Sequence, residues 1–374
     1  MSAVPPRPGT GALVRLSIMV GLTMAVAACG AGKPTALSRP PTTAPTRSPP
    51  TTVKPSTATT PSTTTTPSNP GGHQVSAASS SLPTPAALSP FDAPPLAGEG
   101  TWSPAGRRVA GVPAIYETTL VPPGGTQPAG IAWMDTRLLS ARLYSGSVSP
   151  GGGPYAYTAP IQPAQAASLV AAFNGGFIMN VAGGGYYTEG RVVDPLVVGA
   201  ASLVIYAGGG VTVGAWGSDV TMTPNVVSVR QNLVPLVAGG RPTPQASSPD
   251  WQAWGATCGA TSCAASVPGI EHQWRSGVGV TADGALVYVE GPALDPLQLA
   301  QLLVAAGVVR GMQLDINPDW PVLATYDPPT PGGLAAPSNG SKLVPSSVQG
   351  PWTFFEAWWA RDFITMSVRS TVAG

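Results

Sequence analysis

The sequence predicts an α+β fold, in which a mixed β-sheet carries a few helices and one βαβ unit lies near the C-terminal part. Two patterns indicate this class. Short β-branched segments are separated by glycine turns, which is typical of strands. One apolar segment with helix-start signals lies between two such strands, and a strand–helix–strand order favours a parallel pair joined by a right-handed crossover.

Residues 1–28 have the pattern of an export signal. Arg7 and Arg15 precede an uninterrupted run of apolar and small residues at 16–28. The run of about 13 residues is shorter than the roughly 20 that span a bilayer, and it fits a signal-peptide core. Residues 26–29 resemble a bacterial lipobox, in which cleavage precedes a cysteine whose thiol is then diacylated. We therefore predict a lipoprotein attached through Cys29 to the extracytoplasmic face of the cell membrane. The alternative is an ordinary signal peptide with an incidental cysteine.

Residues 29–90 have the composition of a disordered tether. Serine, threonine, proline and alanine dominate, with four basic residues and no acidic one. Such a segment cannot bury enough apolar surface to offset its ordering entropy, and its prolines keep it extended. We predict that it holds a folded domain, residues 91–374, away from the membrane.

The folded part is poor in charge and in cysteine. Charged residues make up 9% of the chain and its net charge is +1, so no basic stripe exists that would attract nucleic acid. Cys258 and Cys263 remain if Cys29 is lipidated, and outside the cytoplasm such a pair normally forms a disulfide. A zinc site is the weaker alternative, because the only nearby histidine is His272.

Glycine turns divide the strands of the domain. Segments 202–206 and 211–216 flank three glycines, which predicts a hairpin. The dipeptide Asp283-Gly284 predicts a second turn. Further strands are predicted at 233–237, 277–281 and 285–289.

The βαβ unit has the best-defined helix signals. Asp295 is a suitable N-cap, Pro296 suits the first helical position and Gln298 completes a capping box. Gly307 suits the C′ position. One apolar helical face is formed by Leu299, Leu302, Leu303 and Ala306. A strand at 312–316 follows this helix, and a similar helix at 163–169 leads into a strand at 171–173.

Polar residues follow two of the predicted strands. Asp315 and Asn317 come at the end of one, and Asn174, Gly175 and Gly176 at the end of another. In open sheets, ligands tend to bind beyond the carboxyl ends of strands, and glycines let the backbone approach a ligand closely. These two strand ends are therefore candidate parts of one site.

Four segments resemble a known family. AFNGGF (172–177), NLVPLVAGGR (232–241), WRSGVGVTADGALVYVEG (274–291) and LAQLLVAAGVVRGMQLDIN (299–317) occur in the order seen in phosphodiester glycosidase domains. The resemblance covers most of residues 113–369. It implies an extracytoplasmic hydrolase that cleaves the glycosidic bond of a sugar-1-phosphate diester in the cell envelope, with an envelope glycan or sugar phosphodiester as its partner.

The family's motifs map onto this chain unequally. Its Asn-Gly-Gly-aromatic turn matches residues 174–177, and its Arg-Thr/Ser-Ala-x-Gly strand matches residues 275–279. Its Leu-Asp-Gly-Gly-Gly-Ser loop keeps Leu314 and Asp315, but residues 316–318 read Ile-Asn-Pro where the family has glycines. This departure favours the alternative of a catalytically silent, envelope glycan-binding lipoprotein with the same fold.

The chemistry can also be approached by elimination. A serine–histidine–aspartate mechanism lacks both a convincing histidine and a Gly-x-Ser-x-Gly motif. Glycoside cleavage uses two carboxyls, and a phosphate leaving group favours an arginine. The predicted catalytic residues are Asp315, Arg275, Asn174, Glu189 and Glu290. The predicted substrate-binding residues are Gly175, Gly176, Asn317 and Trp320. For each of these residues the alternative is a purely structural role. A divalent cation beside the phosphate is left as an alternative cofactor. No residues are assigned as metal ligands.

Overall fold

Strands make up most of the regular secondary structure in the described chain. A computed structural model describes residues 81–248 and 272–370, which belong to one compact unit. The first half contains β1 (Ser103–Ala105), β2 (Ile115–Leu120), β3 (Ala129–Met134), β4 (Leu139–Tyr144), α1 (Pro163–Ala166), β5 (Leu169–Asn174), β6 (Tyr186–Thr188), β7 (Arg191–Asp194), β8 (Ala201–Tyr206) and β9 (Val211–Ala215). The second half contains β10 (Val226–Gln231), β11 (Val237–Ala238), β12 (Arg241–Pro242), β13 (Gln273–Thr281), β14 (Leu286–Leu294), α2 (Pro296–Ala305), β15 (Val308–Gln313), β16 (Leu323–Tyr326), β17 (Gly340–Lys342) and β18 (Phe363–Val368).

These strands form three sheets. The first has eight strands in the order β1-β2-β3-β14-β13-β15-β11-β12. The second has the order β7-β6-β10-β8-β9, and the third has the order β17-β16-β5-β18-β4. Every pairing between these strands is antiparallel. The fold is therefore mostly β.

The predicted α+β class, with its mixed sheet and βαβ unit, is wrong. Helix α2 begins at the predicted residue, where Asp295 accepts from the backbone N–H of Gln298 and completes a capping box. Strands β14 and β15 flank this helix but do not pair, because β13 lies between them and runs antiparallel to both. The turn at residues 281–285 folds β14 back onto β13, so the position beside β14 is already occupied.

Local signals located some strands well and others poorly. The hairpin of β8 and β9 forms as predicted. Segment 233–237 is a strand only at its last residue, because Leu233 has a positive φ of 56° that interrupts extended backbone. The predicted strand 312–316 ends at Gln313, which leaves Asp315 in the loop that follows. The second predicted helix has four residues, at Pro163–Ala166.

The apolar core lies between the sheets and beneath α2. One cluster joins inward-facing residues of all three sheets, including Met134, Phe173, Leu203, Val278 and Ile364. A second packs α2 onto the eight-stranded sheet through Leu299, Leu302 and Leu303. These clusters hold the sheets together so that the ends of β5, β10 and β15 and the start of β18 come close to one another.

Several predictions fall outside the described residues. They concern the signal peptide, Cys29, most of the tether, and the pair Cys258 and Cys263. The domain boundaries stay predictions. The described chain shows Leu82 buried, with its backbone N–H donating to Asp135 Oδ2 at 2.7 Å. No helix in the described ranges is long and apolar enough to cross a membrane.

Candidate functional site

Asp315 is held in a fixed orientation in the loop after β15. Its Oδ1 accepts the backbone N–H of Ile316 at 2.8 Å, and its Oδ2 accepts from Arg361 Nη2 at 2.7 Å. The side chain is only 5% exposed. Burial raises the pKa of Asp315 to about 6, although Arg361 and the backbone N–H donors act in the opposite direction. Asp315 is therefore a buried carboxyl whose proton equilibrium lies close to neutral pH.

Arg361 connects this carboxylate to its surroundings. It lies just before β18, and its Nη2 also donates to the carbonyl oxygen of Gly176 at 3.0 Å. Its guanidinium lies 4.4 Å from the centre of the Trp320 ring. Within the described ranges, its buried Nε has no hydrogen-bond partner. Because a guanidinium carries five donors, Arg361 keeps donor capacity beyond the pair with Asp315.

Asn174 is engaged by protein groups on every side. Its Oδ1 accepts from the Tyr288 hydroxyl at 2.6 Å and from the backbone N–H of Val322 at 3.2 Å. Its Nδ2 donates to the Gly175 carbonyl at 2.7 Å and to Ser276 Oγ at 3.1 Å. Ser276 Oγ also accepts the backbone N–H of Asp315 at 3.2 Å. The structure therefore brings Asn174 and Asp315 together through Ser276, with Asn174 bracing the turn.

Two further carboxyls lie behind Asn174. Glu290 is fully buried, and its two carboxyl oxygens lie 2.9 and 3.1 Å from the hydroxyl groups of Tyr288 and Ser347. Burial raises the pKa of Glu290 to about 7, and burial also raises that of Glu117 to about 7. The Glu117 side chain is partly exposed, but its Oε1 is buried and lacks a partner among the described residues. Glu290 is thus part of the structural network at the site, remote from solvent.

The two glycines after Asn174 permit a close approach of three elements. A Cβ on Gly175 would lie 2.0 Å from Asp362 Oδ2, and one on Gly176 would lie 2.6 Å from Asn232 Oδ1. Asp362 accepts from Arg230 Nε at 2.7 Å, and neither side chain is exposed. Gly175 and Gly176 therefore lie at the predicted site because the backbone passes directly over a buried ion pair.

Arg275 does not reach this cluster in the structure. Successive side chains of a strand point to opposite faces, and the adjacent Ser276 faces Asn174. Arg275 is 1% exposed, its Nε donates to the Leu294 carbonyl at 2.7 Å and its Nη1 to Gln313 Oε1 at 2.8 Å. The guanidinium beside Asp315 is that of Arg361.

The other predicted residues divide between two places. Asn317 and Trp320 are half-buried beside Asp315, and Asn317 donates its backbone N–H to Asp315 Oδ1 at 3.4 Å. Glu189 is exposed and accepts the backbone N–H of Ala156 at 3.0 Å. It borders a cavity of about 660 Å³, whose lining includes Arg142 but not Asp315 or Arg361. This cavity therefore does not coincide with the carboxylate chemistry at Asp315.

Sequence reasoning missed four polar residues of this cluster. They are Arg230, Asn232, Arg361 and Asp362. Because only 9% of the residues are charged, the positions of the charged residues in the sequence were a signal that could have identified part of this cluster. Arg361 and Asp362 form an adjacent charged pair directly before an apolar strand, and Arg230 interrupts the apolar strand β10. Burying a charged side chain in such a position costs free energy unless the charge is paired with an opposite charge.

No metal site is formed within the described ranges, where no three His, Cys, Asp or Glu side chains come together. Asp315 offers one carboxylate, and its two oxygens are already engaged by Ile316 and Arg361. The donor set around Asp315 therefore suits an anion contacted by Arg361 better than a divalent cation.

Fold and site together define an antiparallel β-protein with a buried carboxylate–guanidinium pair where its three sheets meet. No protein-family model and no curated protein sequence matches the chain. Among solved structures, it is similar to the catalytic domain of zebrafish N-acetylglucosamine-1-phosphodiester alpha-N-acetylglucosaminidase, auto-inhibited by its pro-peptide. The identity is 16%, the alignment covers 72% of this chain and 88% of that chain, and the TM-score is 0.41.

Two other solved structures are similar at lower scores. A hypothetical protein from Synechocystis is 13% identical over 71% of this chain and 64% of that chain, with a TM-score of 0.35. A protein from Burkholderia pseudomallei K96243 is 13% identical over 64% of this chain and 74% of that chain, with a TM-score of 0.32. The chain thus has a distant likeness in fold to a phosphodiester glycosidase domain.

Proposed function

We propose that this chain is an extracytoplasmic hydrolase that cleaves the glycosidic bond of a sugar-1-phosphate diester in the cell envelope. The observation that carries the proposal is the pair of Asp315 and Arg361. Arg361 holds the carboxylate through Nη2 and keeps a buried Nε without a partner in the described chain. Such a guanidinium can bind a phosphate oxygen by a charge-assisted hydrogen bond.

In this proposal Arg361 replaces Arg275 as the phosphate-binding residue. Arg275 donates to protein acceptors inside the eight-stranded sheet, whereas Arg361 lies against Trp320 at the edge of the cluster. The half-buried Trp320 ring packs against Arg361 and Trp359, and in this proposal its exposed part contacts the sugar. Phosphate and sugar would thus be held by neighbouring side chains, with Asp315 beside both.

Asp315 would act on the anomeric carbon. As the carboxylate it takes a proton from a water molecule whose oxygen forms the new bond to that carbon, while the bond to the phosphate oxygen breaks. The electron pair leaves with the phosphate, which is a good leaving group and needs little acid assistance. A pKa of about 6 leaves Asp315 mostly ionised at neutral pH and still basic enough to accept the proton.

One observation favours a second function, binding without catalysis. Asp315 is nearly inaccessible, and the following Ile316 is buried against Phe177 and Ala182. A carboxylate held so firmly reaches a substrate only if this loop moves. The second candidate is therefore a catalytically silent, envelope glycan-binding lipoprotein that uses the same Arg361 and Trp320 surface.

The proposed location follows from the N-terminal sequence. A diacylated Cys29 would anchor the chain in the membrane, and residues 29–90 would hold the domain within the envelope. A sugar phosphodiester of the envelope would then lie within reach of the site.

The proposal is tested by measuring reducing sugar released by the full-length protein from a panel of sugar-1-phosphate diesters. We expect turnover, and we expect Asp315→Asn and Arg361→Met each to lower kcat/KM by about 10²-fold or more, because both groups act on the charge that develops at the reaction centre. Asp319→Asn is the matched control, since Asp319 is exposed in the same loop.

The outcomes separate the two functions. Turnover that survives in Asp315→Asn would show that the site is elsewhere. Saturable binding of the diesters without any release of sugar would support the binding protein instead. Neither binding nor turnover across the panel would contradict both.

A further inference from the structure

The orientation of the Asn174 amide is fixed by two backbone groups. A backbone N–H can only donate and a carbonyl can only accept, so the atom near Val322 N must be Oδ1 and the atom near the Gly175 carbonyl must be Nδ2. Tyr288 Oη lies 2.6 Å from that Oδ1. Because an amide oxygen has no hydrogen to give, the Tyr288 hydroxyl must donate its own hydrogen to Asn174.

The same hydroxyl lies 2.9 Å from Glu290 Oε2. A hydroxyl group has one hydrogen, and that of Tyr288 already forms the hydrogen bond to Asn174. An ionised Glu290 would therefore place two acceptor oxygens in contact without a hydrogen between them. The contact becomes a hydrogen bond only if Glu290 is a neutral carboxylic acid that donates to Tyr288.

The surroundings of Glu290 favour the neutral acid. The groups facing it are Tyr288 on its own strand, the hydroxyl of Ser347, a backbone hydrogen bond from Val344 and the second acid Glu117 on β2. None of the ion pairs among the described residues includes Glu290. Burial raises the pKa of Glu290 to about 7 and Glu117 acts in the same direction, whereas the hydrogen bonds of Tyr288, Ser347 and Val344 lower it.

The hydroxyl of Ser276 completes this arrangement. Its oxygen accepts from Asn174 Nδ2 and from the backbone N–H of Asp315. Both lone pairs are then occupied, and the remaining hydrogen faces Tyr288, with which Ser276 also interacts. Each hydrogen bond in the network that links Glu290 to Asp315 then joins one donor to one acceptor.

We propose that Glu290 is a positioning residue that acts as a neutral acid and donates a hydrogen bond to Tyr288. Tyr288 can then hold Asn174 and, through Ser276, the backbone of Asp315. Glu290 then takes no part in bond breaking. Its ionisation would draw the Tyr288 hydrogen away from Asn174 and loosen the Asn174–Gly176 turn, whose last carbonyl accepts from Arg361. The link to catalysis rests on the proposed function, whereas the protonation state does not.

The proposal predicts the pH dependence of folding stability. The pKa of Glu290 is raised in the folded state, so its stabilising effect is complete below about pH 4.5 and is lost as the pH rises to about 7. A shift of this size changes the folding equilibrium constant on the order of 10²-fold. Glu290→Gln keeps both bonds, because the amide can donate to Tyr288 and accept from Ser347, and it cannot ionise.

The test is denaturant unfolding of the full-length protein and of Glu290→Gln between pH 4.5 and 8.5. We expect equal stability at pH 4.5 and a folding equilibrium constant of the variant that exceeds that of the wild type by about 10-fold or more at pH 8.5. Glu356→Gln is the matched control, since it makes the same substitution at an exposed glutamate and separates the effect of the buried position from the loss of a carboxyl group. A constant difference for Glu290→Gln would overturn the proposal.

A second measurement serves if Glu290→Gln does not fold. This measurement is carbon-13 NMR of the Glu117→Gln variant with labelled glutamate carboxyls. The substitution leaves Glu290 as the one remaining buried glutamate of the pair. One carboxyl that titrates well above the ordinary glutamate range supports the neutral acid, and ordinary titration of every glutamate overturns it. Both measurements are made without substrate, so an absence of sugar phosphodiester hydrolysis would contradict the proposed function and leave this inference standing.

Discussion

Arg275 and Arg361 use the same side chain for different purposes. Arg275 lies inside the eight-stranded sheet, where Nε donates to the Leu294 carbonyl and Nη1 to Gln313. Arg361 lies at the junction of the sheets, and its Nη2 holds Asp315. A guanidinium held by acceptors inside a sheet supports a fold, whereas one that keeps a donor beside a carboxylate can serve a ligand.

The two arginines therefore predict different phenotypes. Arg275→Met leaves a buried carbonyl and a buried amide oxygen without their donor, and we expect it to lower the free energy of unfolding by about 2–4 kcal/mol. Arg361→Met removes the main counter-charge of Asp315, so we expect the pKa of Asp315 to rise above about 6 and turnover to fall. Urea unfolding and activity measurements on both variants check this.

The opposite result would be informative. If Arg275→Met kept its stability and lost turnover, the phosphate-binding role would return to Arg275. An Arg361→Met protein with unchanged turnover and an unchanged pKa of Asp315 would remove Arg361 from the site.

At the scale of secondary-structure elements, the sequence predicted individual helix starts and turns better than it predicted which strands lie side by side. The capping box of Asp295 and Gln298 located the start of α2, and the glycine turn located the hairpin of β8 and β9. These signals act over a few residues, so they can be read from the chain directly. The position of β13 between β14 and β15 depends on a hairpin competing with a helical crossover, which local periodicity does not reveal.

The turn after β5 gives a prediction at this scale. A Cβ on Gly175 would lie 2.0 Å from Asp362 Oδ2, inside the buried pair with Arg230. We expect Gly175→Ala to lower the free energy of unfolding by about 1–3 kcal/mol or more, because the ion pair must shift to admit the methyl group. Gly332→Ala is the matched control, since nothing lies within 4 Å of the added Cβ.

Thermal unfolding of the two alanine variants measures this difference. A Gly175→Ala protein as stable as Gly332→Ala would show that the turn does not pack against Asp362 as described. Loss of stability in both would point to the removal of glycine itself as the cause.

At the scale of the whole molecule, the candidate site exists because three sheets end at one place. Asn174 closes β5, Ser276 lies near the start of β13, Asp315 follows β15 and Arg361 precedes β18. The sequence placed Asn174 and Asp315 together through their positions at the ends of predicted strands and through the motifs of a similar family. It could not place Arg361, because nothing in the chain near that residue specifies which strand ends it meets.

The N-terminal quarter of the chain, residues 1–90, gives the last prediction, which concerns the membrane anchor that we propose. If residues 26–29 are a lipobox, Cys29 carries two acyl chains after cleavage, and two chains anchor a protein stably where one does not. Cys29→Ser removes the acceptor thiol and the cleavage signal together. We expect the variant either to leave the membrane fraction or to accumulate there with its first 28 residues uncleaved. Fractionation followed by intact-mass measurement distinguishes these results from the diacylated wild type. Cys258→Ser is the matched control, because it replaces a cysteine far along the sequence from residues 26–29 and leaves those residues intact; it should fractionate as the wild type does. A Cys29→Ser protein that is cleaved after residue 28 and still partitions into detergent would show that the anchor is not a lipid on Cys29.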